Sequence, residues 1–397
     1  MSLKARHLFY YAAALLACAQ WPLLHKTGFV PGPPWEALFP GLAVLGAAFL
    51  LSWAAEAAEM DIPQGVSVTL LALIAVLPEY AVDMYFAWKA GKDPAYTAYA
   101  CANMTGANRL LIGLGWAAVL FVYAAAHKKK QIELDPAVSP ELVTLGLATL
   151  YAFLIPLKST LSLLDFVVFL ALFGVYAYRV SIAEVHEPEL EGPAATIGAL
   201  PKTGRRAAVT LLFLYAAAAI WLAAEPFAEG MLATGRALQI DEFFLVQWLA
   251  PLASEAPEFI VATLFALRGK GAVGLRILLA SKVNQWTLLV GMLPLAYSLS
   301  AGSPAPMHLD ARQAHEILLT AAQSIFALAI LINLRFNLWE GGLLVLLFST
   351  QLFFTSWHTR VVYVVLYLVG TAGWLANPGT RVAVGRAFRV ALDFRKR

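Results

Sequence analysis

Charged residues are scarce in this chain of 397 residues. Only 13% of them are Asp, Glu, Lys or Arg, whereas 60% are hydrophobic and the mean hydropathy is +0.71. Soluble domains carry roughly 25% charged residues. The shortage of charge therefore excludes an ordinary soluble protein and predicts an integral membrane protein with many spans. The net charge of +3 is too small to indicate nucleic-acid binding.

Cysteine and familiar catalytic motifs are scarce or missing as well. Cys18 and Cys101, the two cysteines of the chain, both fall in apolar segments, so no disulfide framework is expected. The chain has no nucleotide-binding loop, HExxH motif or serine-centred hydrolase motif. These gaps argue against an enzyme, and no tightly bound cofactor is expected.

Long apolar runs are abundant in the chain. A membrane-spanning helix needs about 20 mostly apolar residues, and twelve stretches meet this requirement. The first resembles a signal peptide, but a retained helix fits the topology better than a cleaved one. The predicted spans are residues 7–25, 35–56, 64–90, 96–125, 139–156, 159–183, 206–225, 240–268, 272–299, 313–333, 338–356 and 359–376.

The positions of Lys and Arg predict the orientation of these spans. The ends that share a side with the N-terminus hold 19 basic residues, and the opposite ends hold 7. Because cytoplasmic loops are enriched in Lys and Arg, we expect both termini in the cytoplasm, in a prokaryotic plasma (inner) membrane. The remaining two bases, Arg109 and Lys282, lie within predicted spans.

An internal repeat relates spans 3 and 4 to spans 8 and 9. The stretch "PEYAVDMYFAWK" at 78–89 matches "PEFIVATLFALR" at 257–268 in Pro, Glu, an aromatic residue, Phe, Ala and a terminal base. The two copies are five spans apart, so they enter the membrane from opposite sides. Inverted repeats whose interrupted helices meet near the midplane are typical of secondary transporters.

The sequence thus predicts an all-α polytopic membrane protein with about twelve transmembrane helices, arranged as two inverted five-helix repeats plus one extra helix at each end. The predicted divisions are an N-terminal helix (1–30), a first repeat half (31–183, repeat motif about 72–113), a cytoplasmic linker (184–205), a second repeat half (206–357, repeat motif about 251–291) and a C-terminal helix with a basic cytoplasmic tail (358–397).

Each copy of the repeat places a carboxylate directly after a proline in an apolar run. A carboxylate at mid-membrane is usually paired or part of an ion path, and proline frees backbone carbonyls of the preceding turn. Such hard oxygen ligands suit Ca²⁺, Na⁺ or Mg²⁺, or proton exchange. We therefore predict a cation site at Glu79 and Glu258. Asp83 and Glu255 share their helix faces and either pair with a base or line a vestibule.

Partner helices add amide and hydroxyl oxygens in "NMTGAN" and "SKVNQ". Hydrogen bonds that merely bridge helices are the alternative role for such residues. The further candidate ligands are Asn103, Thr105, Asn108, Ser281, Asn284 and Gln285.

Six other polar residues receive ordinary structural interpretations. Asp165, Gln323 and Gln351 stand alone on their spans, so we expect them to make contacts between helices. Three acidic residues end span 2, where solvation is expected: Glu56, Glu59 and Asp61.

The two embedded bases allow two interpretations. As structural groups, Lys282 would pair with Glu255 and Arg109 with Asp83. As functional groups, each would act as a tethered cation that substitutes for a transported ion. With the four site carboxylates ionised and both bases protonated, the formal charge is −2, which suits one divalent ion, one or two monovalent ions, or two protons.

The repeat motifs resemble the two alpha-repeats of the cation/calcium exchanger superfamily. The matching stretches are "LPEYAVDMYFAWKAG…ACANMTGAN" and "SEAPEFIVATLFALRGKG…SKVNQ", about 35 residues in each half. The resemblance implies ten core helices in two inverted halves and exchange of Ca²⁺ or another cation against Na⁺, K⁺ or H⁺. It also implies that Glu79 and Glu258 are the central ligands, with Asn103 at the position of the family's Gly-Asn motif.

This chain departs from the family pattern at the site. Ala75 and Val76 replace a threonine and a serine, and Lys282 stands among the expected ligands. We therefore expect a cation antiporter that exchanges Ca²⁺, or Na⁺/K⁺, against H⁺ or a changed number of Na⁺ ions. The alternatives are a transporter of an anionic or other solute that uses Arg109 and Lys282, and a non-transporting membrane scaffold. The expected partners are inorganic cations and the lipid bilayer, without nucleic acid.

Overall fold

Helices dominate the computed structural model, which describes residues 3–29, 32–61, 76–182, 190, 192–354 and 356–393. Within these ranges, 8 helical stretches are long and apolar enough to cross a membrane. The prediction of an all-α polytopic membrane protein is therefore confirmed. The helices are α1 Leu3–Thr27, α2 Trp35–Ala58, α3 Leu77–Ala90, α4 Thr97–Leu110, α5 Ala117–His127, α6 Ser139–Ala152, α7 Leu154–Lys158, α8 Leu163–Ser181, α9 Gly192–Gly198, α10 Lys202–Leu238, α11 Glu242–Leu267, α12 Gly271–Asn284, α13 Val290–Ala301, α14 Ala311–Leu331, α15 Leu338–Phe353, α16 Trp357–Ala376 and α17 Pro378–Ala391.

Each predicted span coincides with a helix wherever the structure describes it. The third span is described from residue 76 onward, so most of its first half lies outside the described residues. The seventh is longer than expected, since α10 has 37 residues and continues past Glu225 with Pro226 in its interior. Within the predicted basic tail, residues 378–391 form α17.

The chain divides into two compact units, and each draws on both halves of the sequence. The first comprises residues 1–86 and 180–258, and the second comprises residues 87–179 and 259–396. The boundary falls within α3, within α8 and within α11. The division into repeat halves at 31–183 and 206–357 is a statement about sequence and stays a prediction.

In the first unit, small residues let the helices approach closely. Gly46 of α2 faces the backbone oxygen of Ala14 and the side chain of Ala17 on α1, and Gly230 of α10 lies against the backbone of Glu36 on α2. A Cβ at either glycine would collide with backbone atoms. Glycine at such contacts is how membrane helices gain packing without a hydrophobic driving force.

Part of the predicted cytoplasmic linker folds onto this unit. The short helix α9 buries Ala194 and Ile197 in the apolar cluster that α1, α2 and α10 form. The Tyr11 hydroxyl donates a hydrogen bond to the Pro193 carbonyl oxygen over 2.8 Å. Residues 184–189 and 191 of the linker lie outside the described residues.

Two small sheets in the second unit join loops that are distant in sequence. Strand β1 (Gln131–Glu133) pairs antiparallel with β4 (Arg335–Asn337), and β2 (Thr160–Leu161) pairs antiparallel with β3 (Met307–His308). Under the predicted repeat, the loop of β1 corresponds to the loop of β3, and the loop of β2 corresponds to the loop of β4. If the first half of the chain is superimposed on the second, the β1–β4 sheet therefore corresponds to the β2–β3 sheet. Two related halves of opposite orientation would produce this correspondence.

Both copies of the repeat also contain a π-helical segment in their second helix. Leu111–Trp116 joins α4 to α5, and Gln285–Leu289 joins α12 to α13. Segments of this kind widen the helix by one residue per turn and occur frequently at functional sites. The first begins three residues after the candidate ligand Asn108, and the second begins at the candidate ligand Gln285.

Candidate cation site

The four predicted carboxylates all belong to the first unit, on α3 and the first part of α11. Glu79 and Glu255 are each 2% exposed, and Asp83 is fully buried. Glu258 is half-buried. Burial of charged groups at this level is rare unless a cation, a proton or hydrogen bonds neutralise them, so these positions fit a site that holds exchangeable positive charge.

The two prolines act differently in the two copies. Pro78 lies in the first turn of α3, where its missing N–H costs no helical hydrogen bond, and Glu79 follows it at the positive end of the helix dipole. Pro257 instead lies inside the continuous helix α11, together with Pro251. There it cannot donate to the carbonyl one turn earlier, so an additional backbone oxygen is released near Glu258.

A polar cluster beside α3 was not anticipated from the sequence. The Tyr85 hydroxyl donates a hydrogen bond to Glu229 Oε1 over 2.6 Å and lies 3.2 Å from Glu225 Oε1. Glu225 is the last residue of the predicted span, and Glu229 stands on the part of α10 beyond it. A signal was present, since "AAEPFAE" at 223–229 resembles "AAEAAE" at 54–59 in the corresponding helix of the first half.

The predicted amide and hydroxyl ligands belong to the second unit and are buried. The side-chain oxygen of Asn103 accepts no hydrogen bond from any residue that the structure describes. The Thr105 hydroxyl donates to the Cys101 carbonyl oxygen of its own helix over 2.6 Å. The buried set is Asn103, Thr105, Asn108, Ser281, Asn284 and Gln285.

Asn108 and Lys282 are joined by two hydrogen bonds. The Lys282 ammonium donates to Asn108 Oδ1 over 2.8 Å and to the Asn108 carbonyl oxygen over 3.1 Å. Asn108 Nδ2 in turn donates to the Met104 carbonyl oxygen over 2.8 Å. Both polar atoms of the Asn108 side chain are therefore engaged by protein groups, unlike the oxygen of Asn103.

Arg109 forms a buried ion pair with Glu316 of α14, a partner that the sequence analysis did not consider. Glu316 also accepts from Arg360 Nε of α16 over 2.7 Å, and Gln323 Nε2 donates to the Arg109 carbonyl oxygen over 3.2 Å. Three helices are thus held at one point. The predicted pairs Arg109–Asp83 and Lys282–Glu255 would join the two units, and they stay predictions.

The three polar residues expected to make contacts between helices do so. The Tyr151 hydroxyl of α6 donates to Asp165 Oδ1 of α8 over 2.8 Å. Gln323 of α14 donates to the backbone of α4. Gln351 Nε2 of α15 donates to the Tyr367 hydroxyl of α16 over 2.6 Å.

The acidic residues at the end of span 2 were expected to be solvated, but the structure partly buries them. Asp61 forms a two-pronged ion pair with Arg205, whose Nε lies 2.6 Å from Oδ2 and whose Nη2 lies 3.0 Å from Oδ1. This hydrogen bonding holds the pKa of Asp61 below its ordinary value. Glu56 and Glu59 are half-buried, and burial raises the pKa of Glu59.

Comparison with known proteins decides the family. The family profile described as "Sodium/calcium exchanger protein" matches residues 37–182 and 208–357. The chain belongs to the sodium/calcium exchanger family. This confirms the resemblance to the cation/calcium exchanger superfamily and the prediction of a membrane cation antiporter rather than an enzyme. No curated protein matches the chain in sequence.

Solved structures agree with this family. The crystal structure of the H⁺/Ca²⁺ exchanger CAX matches with a TM-score of 0.94 and 44% identity, over 98% of each chain. The structure of native YfkE matches with a TM-score of 0.59 and 15% identity, over 94% of this chain and 100% of that one. The sodium-calcium exchanger NCX_Mj, soaked with Na⁺ and Sr²⁺, matches with a TM-score of 0.53 and 18% identity, over 80% of this chain and 96% of that one. The last two likenesses concern the fold alone.

Proposed function

We propose that the chain exchanges Ca²⁺ for H⁺ across a prokaryotic plasma membrane, with both termini in the cytoplasm. The observation that carries this proposal is the 44% identity, over 98% of the chain, to a protein described as an H⁺/Ca²⁺ exchanger. The twinned Pro-Glu motif supplies the chemical means within this sequence.

Glu79 and Glu258 are the proposed central ligands, with Asp83 and Glu255 beside them. Buried carboxylates need positive charge, and Ca²⁺ prefers six to eight oxygen ligands, including amide and backbone carbonyl oxygens. Asn103, whose buried side-chain oxygen accepts no hydrogen bond from the described part of the chain, is the amide best suited to join them. Thr105, Ser281, Asn284 and Gln285 complete the proposed set, and Asn108 contributes through its contact with Lys282.

Exchange follows because Ca²⁺ and protons compete to neutralise the same carboxylates. One Ca²⁺ supplies the same positive charge as two protons, so either neutralises Glu79 and Glu258 in the low-dielectric interior. Occupation by one excludes the other. Alternating exposure of the site to the two sides of the membrane then couples uptake of one ion to release of the other.

The strand pairs support the proposed topology. Loops that pair must lie on the same side of the membrane, and the orientation inferred from Lys and Arg assigns both loops of the β1–β4 sheet to the cytoplasm. It assigns both loops of the β2–β3 sheet to the opposite side. An extra or missing span between them would break at least one pair.

The anion-transporter alternative is disfavoured by the partners of the two bases. Arg109 is committed to the buried carboxylate of Glu316, and Lys282 donates to two oxygens of Asn108. Groups so engaged are poorly placed to bind an anionic solute. The non-transporting scaffold receives no support from the deep burial of Glu79, Asp83 and Glu255.

The proposal is tested with purified protein in proteoliposomes. Liposomes with an acidic interior are diluted into medium at neutral pH that contains radioactive Ca²⁺, with choline as the only monovalent cation. We expect Ca²⁺ uptake that a protonophore abolishes and a simultaneous alkalinisation inside. Uptake that needs Na⁺ or K⁺, or that ignores the pH gradient, contradicts Ca²⁺/H⁺ exchange.

A further inference from the structure

Lys282 is among the largest fully buried side chains of the described residues, with 1% of its surface exposed. It stands on α12, three residues before the start of the π-helical segment at 285–289. Its ammonium lies 4.8 Å from the ring centroid of Trp286 and within hydrogen-bonding distance of two oxygens of Asn108. Oxygen dipoles on one side and an aromatic face on another are the surroundings of a bound cation.

The two oxygens belong to a single residue whose orientation is fixed. Asn108 Nδ2 donates to the Met104 carbonyl oxygen, so Oδ1 must be the atom that faces Lys282. With the amide reversed, a donor would face the ammonium and an oxygen would face a carbonyl. Asn108 therefore presents two acceptor oxygens, its amide and its own backbone carbonyl, to one point.

The aromatic side of this arrangement is held as well. Trp286 is 1% exposed, and its Nε1 donates to the Thr149 hydroxyl of α6 over 3.2 Å. Arg109, the residue after Asn108, is anchored to Glu316 and Gln323 of α14. The position that the ammonium occupies is thus bounded by groups fixed from α4, α6 and α14.

Amide and carbonyl oxygens are hard ligands of the kind that alkali cations use in proteins. An ammonium that takes these same oxygens cannot dissociate, because the lysine side chain tethers it. Its positive charge also repels a second monovalent cation at close range. The arrangement therefore has the chemistry of a monovalent cation site with a permanent, covalently attached occupant.

We propose that Lys282 is a specificity-determining residue, whose ammonium occupies the oxygens of Asn108 in place of Na⁺ and so prevents Na⁺ from acting as counter-ion. The inference rests on the proposed cation exchange, and it adds the reason why H⁺ rather than Na⁺ returns. Replacing Lys282 by a neutral residue should make the two oxygens of Asn108 available to Na⁺. Replacing Lys282 by arginine, which keeps a positive charge at this position, should again prevent Na⁺ from binding these oxygens.

The test compares Lys282→Met, Lys282→Gln and Lys282→Arg with the unaltered protein in two measurements. In detergent, thermal unfolding is followed as NaCl replaces choline chloride at constant ionic strength. We expect Na⁺ to raise the Tm of the Met and Gln variants in a saturable way, and to leave the Tm of the unaltered protein and of the Arg variant unchanged. Saturable stabilisation of the unaltered protein by Na⁺ overturns the proposal, even if no variant folds.

In proteoliposomes, the initial rate of Ca²⁺ efflux is measured with and without an inward Na⁺ gradient at equal pH on both sides. We expect about a tenfold response to Na⁺ in the Met or Gln variant, which corresponds to a free-energy difference of about 1.4 kcal/mol, and none in the unaltered protein. If the Met and Gln variants fold but Na⁺ changes neither their Tm nor their rate of Ca²⁺ efflux, the proposal is overturned. Absence of Ca²⁺/H⁺ exchange in the unaltered protein rejects the proposed function instead, while the unfolding measurement still tests Lys282.

Discussion

Arg109 and Glu316 form a buried ion pair that joins the predicted fourth and tenth spans, with 3% and 2% of their side-chain surfaces exposed. Arg360 of α16 contacts the same carboxylate. One carboxylate thus contacts two guanidinium groups. This ion pair also holds the backbone next to Asn108, the residue that contacts Lys282, because Arg109 directly follows Asn108.

Glu316→Gln should destabilise the protein strongly. The variant removes the negative charge but leaves Arg109 buried, and loss of one partner of a buried pair typically costs about 3–5 kcal/mol. Thermal unfolding in detergent checks this, with Glu133→Gln on the exposed strand β1 as a matched control. An unchanged Tm for Glu316→Gln would show that the ion pair contributes nothing.

Tyr85→Phe should weaken the attachment of α3 to α10. The substitution removes the hydroxyl that donates to Glu229 and lies near Glu225. Hydrogen bonds to charged groups are worth about 1.5–3 kcal/mol when buried, and the partial exposure of this cluster reduces the expected loss to about 1 kcal/mol. Tyr123→Phe is the matched control, because no hydrogen bond of its hydroxyl is described. Equal Tm values for the two variants would contradict the prediction.

Asp61→Asn should lower the Tm at neutral pH by loosening the start of α10. The contact with Arg205 holds the pKa of Asp61 below its ordinary value of 3.8. A lowered pKa means that the folded state favours the ionised carboxylate, so the stabilisation is complete above pH of about 4 and is lost as the pH falls through the lower, folded value. The difference in Tm between Asp61→Asn and the unaltered protein should therefore shrink only in strong acid. A difference that grows on acidification would contradict this assignment.

Cysteines at the strand partners test the topology. Gln131 and Asn337 are paired Cα partners, as are Thr160 and His308. Partners in antiparallel strands lie about 4.5–5.5 Å apart, within the range of a disulfide. Each pair, introduced after replacement of Cys18 and Cys101 by Ala, should crosslink on oxidation. Gln131→Cys combined with His308→Cys is the control and should not crosslink.

The same cysteines report the side of the membrane when they are left reduced. In right-side-out vesicles, a membrane-impermeant thiol reagent should label Thr160→Cys or His308→Cys and spare Gln131→Cys or Asn337→Cys. Labelling of one residue from each sheet would contradict the inverted arrangement. Labelling of the β1–β4 pair alone would reverse the proposed orientation of the whole protein.

Hydropathy sufficed to predict the helices, because a span of about 20 apolar residues has few other stable forms in a membrane. It failed where polarity rises. Residues 378–391 combine Arg381, Arg386 and Arg389 with apolar residues, and hydropathy gave no sign that they form the helix α17. The strand pairs have two or three residues each, too short for any periodic signal.

The partners of charged side chains were the hardest feature to predict. Arg109 and Lys282 were identified as embedded bases, yet the described partners are Glu316 and Asn108. Glu316 lies about one turn inside α14, and the sequence analysis did not consider it. Which charges meet depends on how helices more than 170 residues apart pack together, and no local pattern carries that information.

The most direct test of the account is Ca²⁺ flux through Glu79→Gln and Glu258→Gln. Each variant removes one of the two twinned carboxylates while keeping its size. In proteoliposomes with a pH gradient, we expect each to lose Ca²⁺ uptake by at least about a hundredfold, equal to about 2.7 kcal/mol, while Glu133→Gln transports like the unaltered protein. Normal uptake by either folded variant would contradict the proposed site.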